Sequence, residues 1–320
     1  MLQYIARRAL WGVALLFIVS ALIFVLFSVL PTGDPAALRA GRQASPEQIE
    51  TIRETLGLDR PTHEQFIDYM GDLILHADFG FSFENDTPVL DLILDALPAT
   101  IFLVLGAVAV WLLVGVPTGI ISAIKRRSAL DRATMFTTLA LISAPVFWLG
   151  LVALYLFSKE VGLVPIFPGA GTYQTASGPF EHAAALILPW LVLAAASAAI
   201  YARYVRSSLI DVMSEDYIRT ARAKGLSERR VILRHGMRSA ITPVVTLLGL
   251  DVGILIAGNA ILTETVFNIP GVGRLVFDSI QRADLPMIQG LVLFGAFFII
   301  FFNLLVDIAY AYLDPRVRYR

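Results

Sequence analysis

Six long apolar runs constrain this chain more than any other feature. They fall at about residues 9–30, 98–124, 133–157, 184–205, 241–266 and 287–313. Each is long enough to cross about 30 Å of hydrocarbon at about 1.5 Å of helix rise per residue. Lipid offers no water to satisfy a free peptide group, so only helices or a closed barrel can span it. A barrel would show short alternating segments rather than unbroken apolar runs. The expected fold is therefore an all-α integral membrane protein with six transmembrane helices. Composition agrees, with 57% hydrophobic and 16% charged residues, where soluble domains carry about 25% charged residues. The first run follows Arg7 and Arg8, as a signal peptide would. It is longer than a signal core and lacks a small-residue cleavage site, so it reads as a retained span.

Lys and Arg set the orientation, because they gather at cytoplasmic helix ends. Of the 25 basic residues, 18 fall on one side: Arg7 and Arg8; Lys125, Arg126, Arg127 and Arg132; nine from Arg203 to Arg238; and Arg316, Arg318 and Arg320. The other side holds Arg39, Arg42, Arg53, Arg60, Lys159, Arg274 and Arg282. Both termini are thus expected in the cytoplasm. The formal net charge of −1 hides this asymmetry and gives no reason to expect a nucleic-acid partner. The outer segment 31–97 is acidic and patterned. Ser45-Pro46-Glu47 reads as an N-cap followed by Pro at the first helical position, with Ile49, Ile52 and Leu56 on one face and a stop near Gly57. Further helices are expected over 61–76, with Phe66, Tyr69, Met70 and Leu73 inward, and over 89–97, with Leu90, Ile93, Leu94 and Leu97 inward. The organisation expected is a first span in 1–30, a small helical extracytoplasmic cap in 31–97, and a core of five spans in 98–320. A plain solvated loop is the alternative for the cap.

Between spans four and five the segment 207–240 turns polar and basic. At its heart lies Asp216-Tyr217-Ile218-Arg219-Thr220-Ala221-Arg222-Ala223-Lys224-Gly225-Leu226. Asp216 is expected to cap a short helix running through Lys224, with Gly225 as its C′ stop. Tyr217, Thr220, Ala221 and Lys224 share one face at i, i+3, i+4 and i+7. Ala221 and Ala223 keep the helix slim enough for close approach in a groove. Ser227 is expected to cap a second helix, with Glu228 at its positive end. Such an island either docks a partner or is a basic surface held by anionic membrane lipid.

The island resembles the coupling loop of ABC-importer permeases, in which a short cytoplasmic helix sits in a cleft of the ATPase subunit. The matching residues are Arg219-Thr220-Ala221, then Gly225, then Ile241-Thr242-Pro243. Arg219 and Thr220 stand where the name-giving Glu-Ala-Ala pattern has Glu and Ala, as in the peptide-transporter branch. Other stretches resemble the same family in order: Leu30-Pro31-x-Gly33-Asp34-Pro35, Thr263-Glu264-Thr265-Val266-Phe267, Ile269-Pro270-Gly271-x-Gly273, Asp284-x-Pro286, Asn303-Leu304-Leu305-Val306-Asp307 and Leu313-Asp314-Pro315-Arg316-x-Arg318. The chain thus resembles the B-type permease of dipeptide/oligopeptide/nickel-class importers, along nearly its whole length. That resemblance implies a type I permease fold in a bacterial cytoplasmic membrane. It also implies a homologous second permease, two ATP-binding subunits that bind the ATP, and an extracytoplasmic solute-binding protein. The coupling residues it implies are Tyr217, Arg219, Thr220, Ala221, Ala223, Lys224 and Gly225. Di- or oligopeptides are the implied cargo; nickel chelates, glutathione or another small solute are the alternatives.

No catalytic constellation stands out. There is no cysteine, no phosphate-binding Gly-x-x-x-x-Gly-Lys loop and no metal-ligand spacing among His63, His76, His182 and His235. The chain is not expected to be an enzyme or to hold a metal or cofactor of its own. Ionisable groups inside spans are candidates for function. Asp251, in mid-span, either lines the translocation path or hydrogen-bonds Asn259, Thr246 or a partner permease for packing. Asn259 and Glu264, farther out on the same expected helix, are candidates for the outer mouth. Asp307 is expected to pair near the cytoplasmic end of span six. Gly249, Gly253 and Gly258 would permit close helix contact. The loop 159–183 is expected to pack on the cap. An ion-coupled secondary transporter remains a rival; it would show an internal repeat and coupling-ion residues in broken helices.

Overall fold

The computed structural model describes residues 2–30, 34–41 and 44–313. Pro31 and Gly33, Arg42, and the segment bearing Asp314, Pro315, Arg316, Arg318 and Arg320 lie outside the described residues. The described residues are helical, with two isolated bridges, Phe81 to Pro88 and Ser158 to Phe167, and no extended strand. Five helices are long and apolar enough to cross a membrane, and a bent pair makes a sixth if its two halves form one span.

α1, Leu2–Phe24, is prolonged by a wide turn at Val25–Val29. The segment that follows is helical, and its first helix was not expected. α2, Pro35–Ala40, starts where the Asp34 carboxylate accepts the Ala36 amide at 3.1 Å. α3, Pro46–Thr55, has a full capping box: Ser45 Oγ accepts from the Gln48 amide and Gln48 Oε1 from the Ser45 amide. Gly57, at φ +64°, turns the chain after it. α4, Thr62–Gly71, passes into a wide turn at Asp72–His76. α5, Val89–Ile124, is one helix of 36 residues. The separate helix expected over 89–97 is thus its first turns, and the boundary expected at 97/98 falls inside it. Pro98 does not break α5.

The third span departs from the expectation of one helix. α6, Ala129–Ser143, and α7, Val146–Phe157, meet at a bend of 103°. Pro145 explains it: a proline drives the residue before it out of the helical region, and Ala144 sits at ψ 127°. α8, Thr172–Thr175, lies in the following loop, and α9, Pro179–Val212, forms span four with Pro189 inside it. α10, Asp216–Ala223, is the polar island. α11, Glu228–Arg230, a wide turn at Val231–Gly236 and α12, Met237–Ala240, lead into span five. That span is also broken. α13, Thr242–Ile254, runs into a wide turn at Leu255–Asn259 in which Gly258 takes φ +103°, and α14, Ile261–Phe267, continues beyond it. α15, Val272–Arg282, and α16, Leu285–Leu313, complete the chain.

The chain forms two compact units. In the first, Met1–Thr100, Gly253–Ile261 and Pro270–Leu304, the core is Val89, Ile93, Val272, Met287, Leu291 and Phe294. The Asp284-x-Pro286 signature has a physical role here. The buried Asp284 carboxylate accepts from Ser82 Oγ at 2.5 Å, the Phe83 amide at 3.1 Å and the Met287 amide at 3.4 Å. It pins the Ser82–Phe83 loop while capping α16. Phe24 packs edge-on against Phe66 at 5.2 Å, which seats α4 on α1.

The second unit holds Ile101–Val252, Leu262–Ile269 and Leu305–Arg320. Its α5 and α9 cross at backbone contact. A Cβ on Gly115 would stand 2.7 Å from the Ala198 carbonyl oxygen, and one on Gly119 2.5 Å from that of Ala202. Small residues allow this approach, and dispersion then replaces the hydrophobic effect that lipid cannot supply between helices. The loop 159–183 finds its partners within this unit, with the Gly171 amide on Phe267 O at 2.9 Å and Gln174 Nε2 on Asn268 O at 3.0 Å.

Candidate functional site

α10 is amphipathic, and its apolar side is used internally. Ile218 and Ala221 are buried with Val231, and Val212, Met213 and Leu226 pack around them. The helix ends in a Schellman arrangement: Leu226 N–H bonds to Ala221 O and Gly225 N–H to Arg222 O, with Gly225 at φ +77°. Gly225 is thus the expected stop. The start differs, because Glu215 occupies the N-cap without a side-chain cap bond and Asp216 is the first helical residue. Asp216 instead pairs with Arg219 at 2.7 Å. Ser227 holds the next N-cap position, also without a side-chain bond.

Two further contacts hold the island. Arg222 grips Glu228 with two hydrogen bonds, 2.6 and 3.1 Å, across the Gly225 turn. The guanidinium holds the Glu228 carboxyl below the usual carboxylate range, and the carboxylate raises Arg222 in return. The Tyr217 hydroxyl donates to Ser239 Oγ at 3.1 Å, tying α10 to α12. The expected docking face therefore divides. Tyr217, Arg219, Thr220, Ala223, Lys224 and Gly225 are exposed, whereas Ala221 is 6% exposed and belongs to the chain's own core. Helical spacing finds a face but does not say whether that face turns in or out.

The same unit holds an ion pair between the buried Asp131 and the partly buried Arg206 that sequence reasoning did not find. Asp131, at the start of α6, accepts from Arg206 Nε at 2.7 Å and Nη2 at 2.9 Å, from Ser122 Oγ at 2.5 Å and from the Arg127 amide at 2.8 Å. It is 4% exposed. One carboxylate thus joins the ends of α5, α6 and α9. The only available signal was an acid standing among Arg126, Arg127 and Arg132, which matches no motif.

Asp251 has a partner the sequence did not suggest. Neither Asn259 nor Thr246 holds it; Tyr201 of α9 donates its hydroxyl hydrogen to Asp251 Oδ2 at 2.8 Å. Tyr201 packs on Trp111 of α5 at 5.6 Å between ring centroids, and both rings are fully buried. Asp251 is half-buried. This contact joins α9 and α13, the two helices that flank the island in the chain. The other two path candidates separate from it, because Gly258 breaks the helix expected to carry all three. Asn259 is exposed in the wide turn, on the rim of an apolar cavity of about 530 Å³. Glu264 lies on α14 with no exposed surface, so it does not line an open mouth.

Residues 115–319 match the family model described as "binding-protein-dependent transport system inner membrane component". Residues 1–105 match the model of the N-terminal part of such components. Over all 320 residues the chain is 43% identical to the glutathione transport system permease protein GsiC of Escherichia coli (strain K12), covering 100% of both chains. The protein of the same name from Shigella dysenteriae serotype 1 is 43% identical over the same length, and that from Shigella boydii serotype 4 is 42% identical.

Proposed function

The chain belongs to the family of binding-protein-dependent transport system inner membrane components, and from that premise we propose that it forms half of a peptide path opened by ATPase subunits acting through α10. It is an integral inner-membrane permease subunit of an ABC importer, not an enzyme. ATP is bound and hydrolysed by two partner subunits, the second half of the path is a homologous permease, and a solute-binding protein delivers cargo on the acidic outer side. The cytoplasm is the side that holds both termini and the island. Short peptides are the cargo class, and glutathione comes first because relatives 43% identical over the full length are named for its transport.

The observation that carries the coupling role is the division of α10. Ile218 and Ala221 root it in its own unit, while Tyr217, Arg219, Thr220, Ala223 and Lys224 stay open to a partner. A short helix rooted on one side and open on the other moves as a piece with the elements it is rooted in. Force on its open face would pass through Val212 and Val231 into the spans on either side. Asp251 and Asn259 are the residues we place on the path; Glu264 is left out because it is enclosed.

The test is co-purification and uptake with all partner subunits present. Ala223→Trp adds bulk on the open face without touching Ile218 or Ala221. It should insert in the membrane normally, release the ATPase subunits and reduce ATP-driven glutathione uptake by about tenfold or more. Undiminished uptake would remove the coupling role. Wild-type uptake of a dipeptide but not of glutathione would move the substrate within the same class.

A further inference from the structure

Asp251 is an acid in mid-span whose own surroundings give it a hydrogen bond but no countercharge. Tyr201, 1% exposed and itself packed on the buried Trp111, closes it off on one side. The phenol fixes Oδ2 through its hydrogen bond, and a neutral donor shares a carboxylate's charge without cancelling it. Among the described residues no Lys, Arg or His pairs with Asp251. The residue is nonetheless half-buried rather than enclosed, so part of it stays accessible. An ionised group in mid-span is too costly to face hydrocarbon; it faces a wet cavity, a partner or a ligand.

We propose that Asp251 is a cation subsite of the translocation path, and that it receives the ammonium of an amine-bearing substrate such as a short peptide with a free α-amino group. The proposal rests on the reading that α13 lines the path. Charge and geometry both favour an ammonium. In a site of low dielectric a carboxylate attracts a compact cation far more strongly than in water, and the charge-assisted N–H···O bond adds to this. Transport also requires release, since a site that binds too well cannot conduct. Tyr201 serves that need. By occupying Oδ2 it leaves one oxygen for the cargo and weakens the field that oxygen presents. A substrate without a cation would find no complement here.

This chain has no cysteine of its own, which allows a direct test in an importer assembled with cysteine-free partner subunits. Leu248→Cys places a thiol one helical turn from Asp251, on the same side of α13. The probes are two methanethiosulfonates of similar size, one bearing a trimethylammonium and one a sulfonate. With Asp251 present the cationic reagent should react faster, and Asp251→Asn should lower the ratio of the two rates by about tenfold. No reaction with either reagent means that this face is dry, and both the path reading and the subsite fall. Reaction with an unchanged ratio leaves the path reading standing and overturns the subsite. Uptake supplies a second measure. Asp251→Glu should keep glutathione uptake within about threefold of wild type, and Asp251→Asn should lose about tenfold. Equal uptake in the two variants also overturns the subsite. A complex that transports neither glutathione nor a dipeptide defeats the substrate reading alone, because the rate ratio still decides the subsite.

Discussion

At the scale of single residues the largest energies belong to buried polar groups. Asp131 is the clearest case, since four donors from Ser122, Arg127 and Arg206 converge on it. Removing Asp131 leaves the Arg206 guanidinium, 23% exposed, without its partner, at a cost below the roughly 3–5 kcal/mol of a fully buried pair. Asp131→Asn should therefore lower the thermal stability of the detergent-solubilised chain markedly. Arg206→Met combined with Asp131→Leu should recover much of the loss, because an apolar pair of similar volume avoids desolvation. If the double variant melts no higher than Asp131→Asn alone, the cost lies elsewhere. Tyr201 makes a smaller but still visible contribution. Tyr201→Phe keeps the packing on Trp111 and deletes only the hydroxyl, so it should cost about 1–3 kcal/mol, the price of leaving an acceptor unmet. Neither contact was legible in the sequence. Tyr201 and Asp251 lie 50 positions apart and Asp131 and Arg206 lie 75 apart, and nothing in local spacing records such a pairing.

At the scale of elements, local chemistry was a good guide to ends and a poor one to breaks. Ser45, Gly57 and Gly225 announce their turns, because caps and left-handed residues act within a few positions of themselves. The breaks at Pro145 and Gly258 sit inside runs whose composition is uniformly apolar, and hydropathy averages across a bend. Gly258 can be tested in isolation. A methyl group there would meet Val276 at 3.5 Å, an ordinary contact, while φ +103° is closed to most side chains. Gly258→Ala should thus be destabilising by about 1–3 kcal/mol through the backbone alone, read as a lower melting temperature. The Arg222–Glu228 clasp predicts a pH effect. Glu228 has a folded-state pKa below its unfolded value, so its contribution is complete above about pH 4.3 and disappears as pH falls through the lower folded value. Both side chains are substantially exposed, which limits the pair to less than about 1 kcal/mol. Hydrogen exchange, corrected for intrinsic rates, should show α10 losing protection in that acid range, and Glu228→Gln should show no such step.

At the scale of the whole molecule, the helical fold follows from hydrocarbon thickness and the need to satisfy every peptide group, and it was legible in the apolar runs; the described residues supply five spans, or six if the bent pair α6–α7 is one. Sidedness rests on a different physical quantity, the 18-to-7 division of basic residues. It makes one further prediction, which the cysteine-free chain allows to be read cleanly. Thr220→Cys on α10 and Gln3→Cys near the N-terminus should react with an impermeant maleimide only in inside-out vesicles or after permeabilisation. Glu54→Cys on α3 should react in intact cells stripped of their outer membrane. The pattern has mechanical consequences. ATPases work in the cytoplasm, so α10 can serve as their lever only if position 220 is protected from outside. The acidic cap can meet a delivered solute-binding protein only if position 54 is reached from there. Labelling of positions 54 and 220 from the same side would contradict the charge rule and the coupling role together, because no arrangement of an odd number of spans between them could produce it.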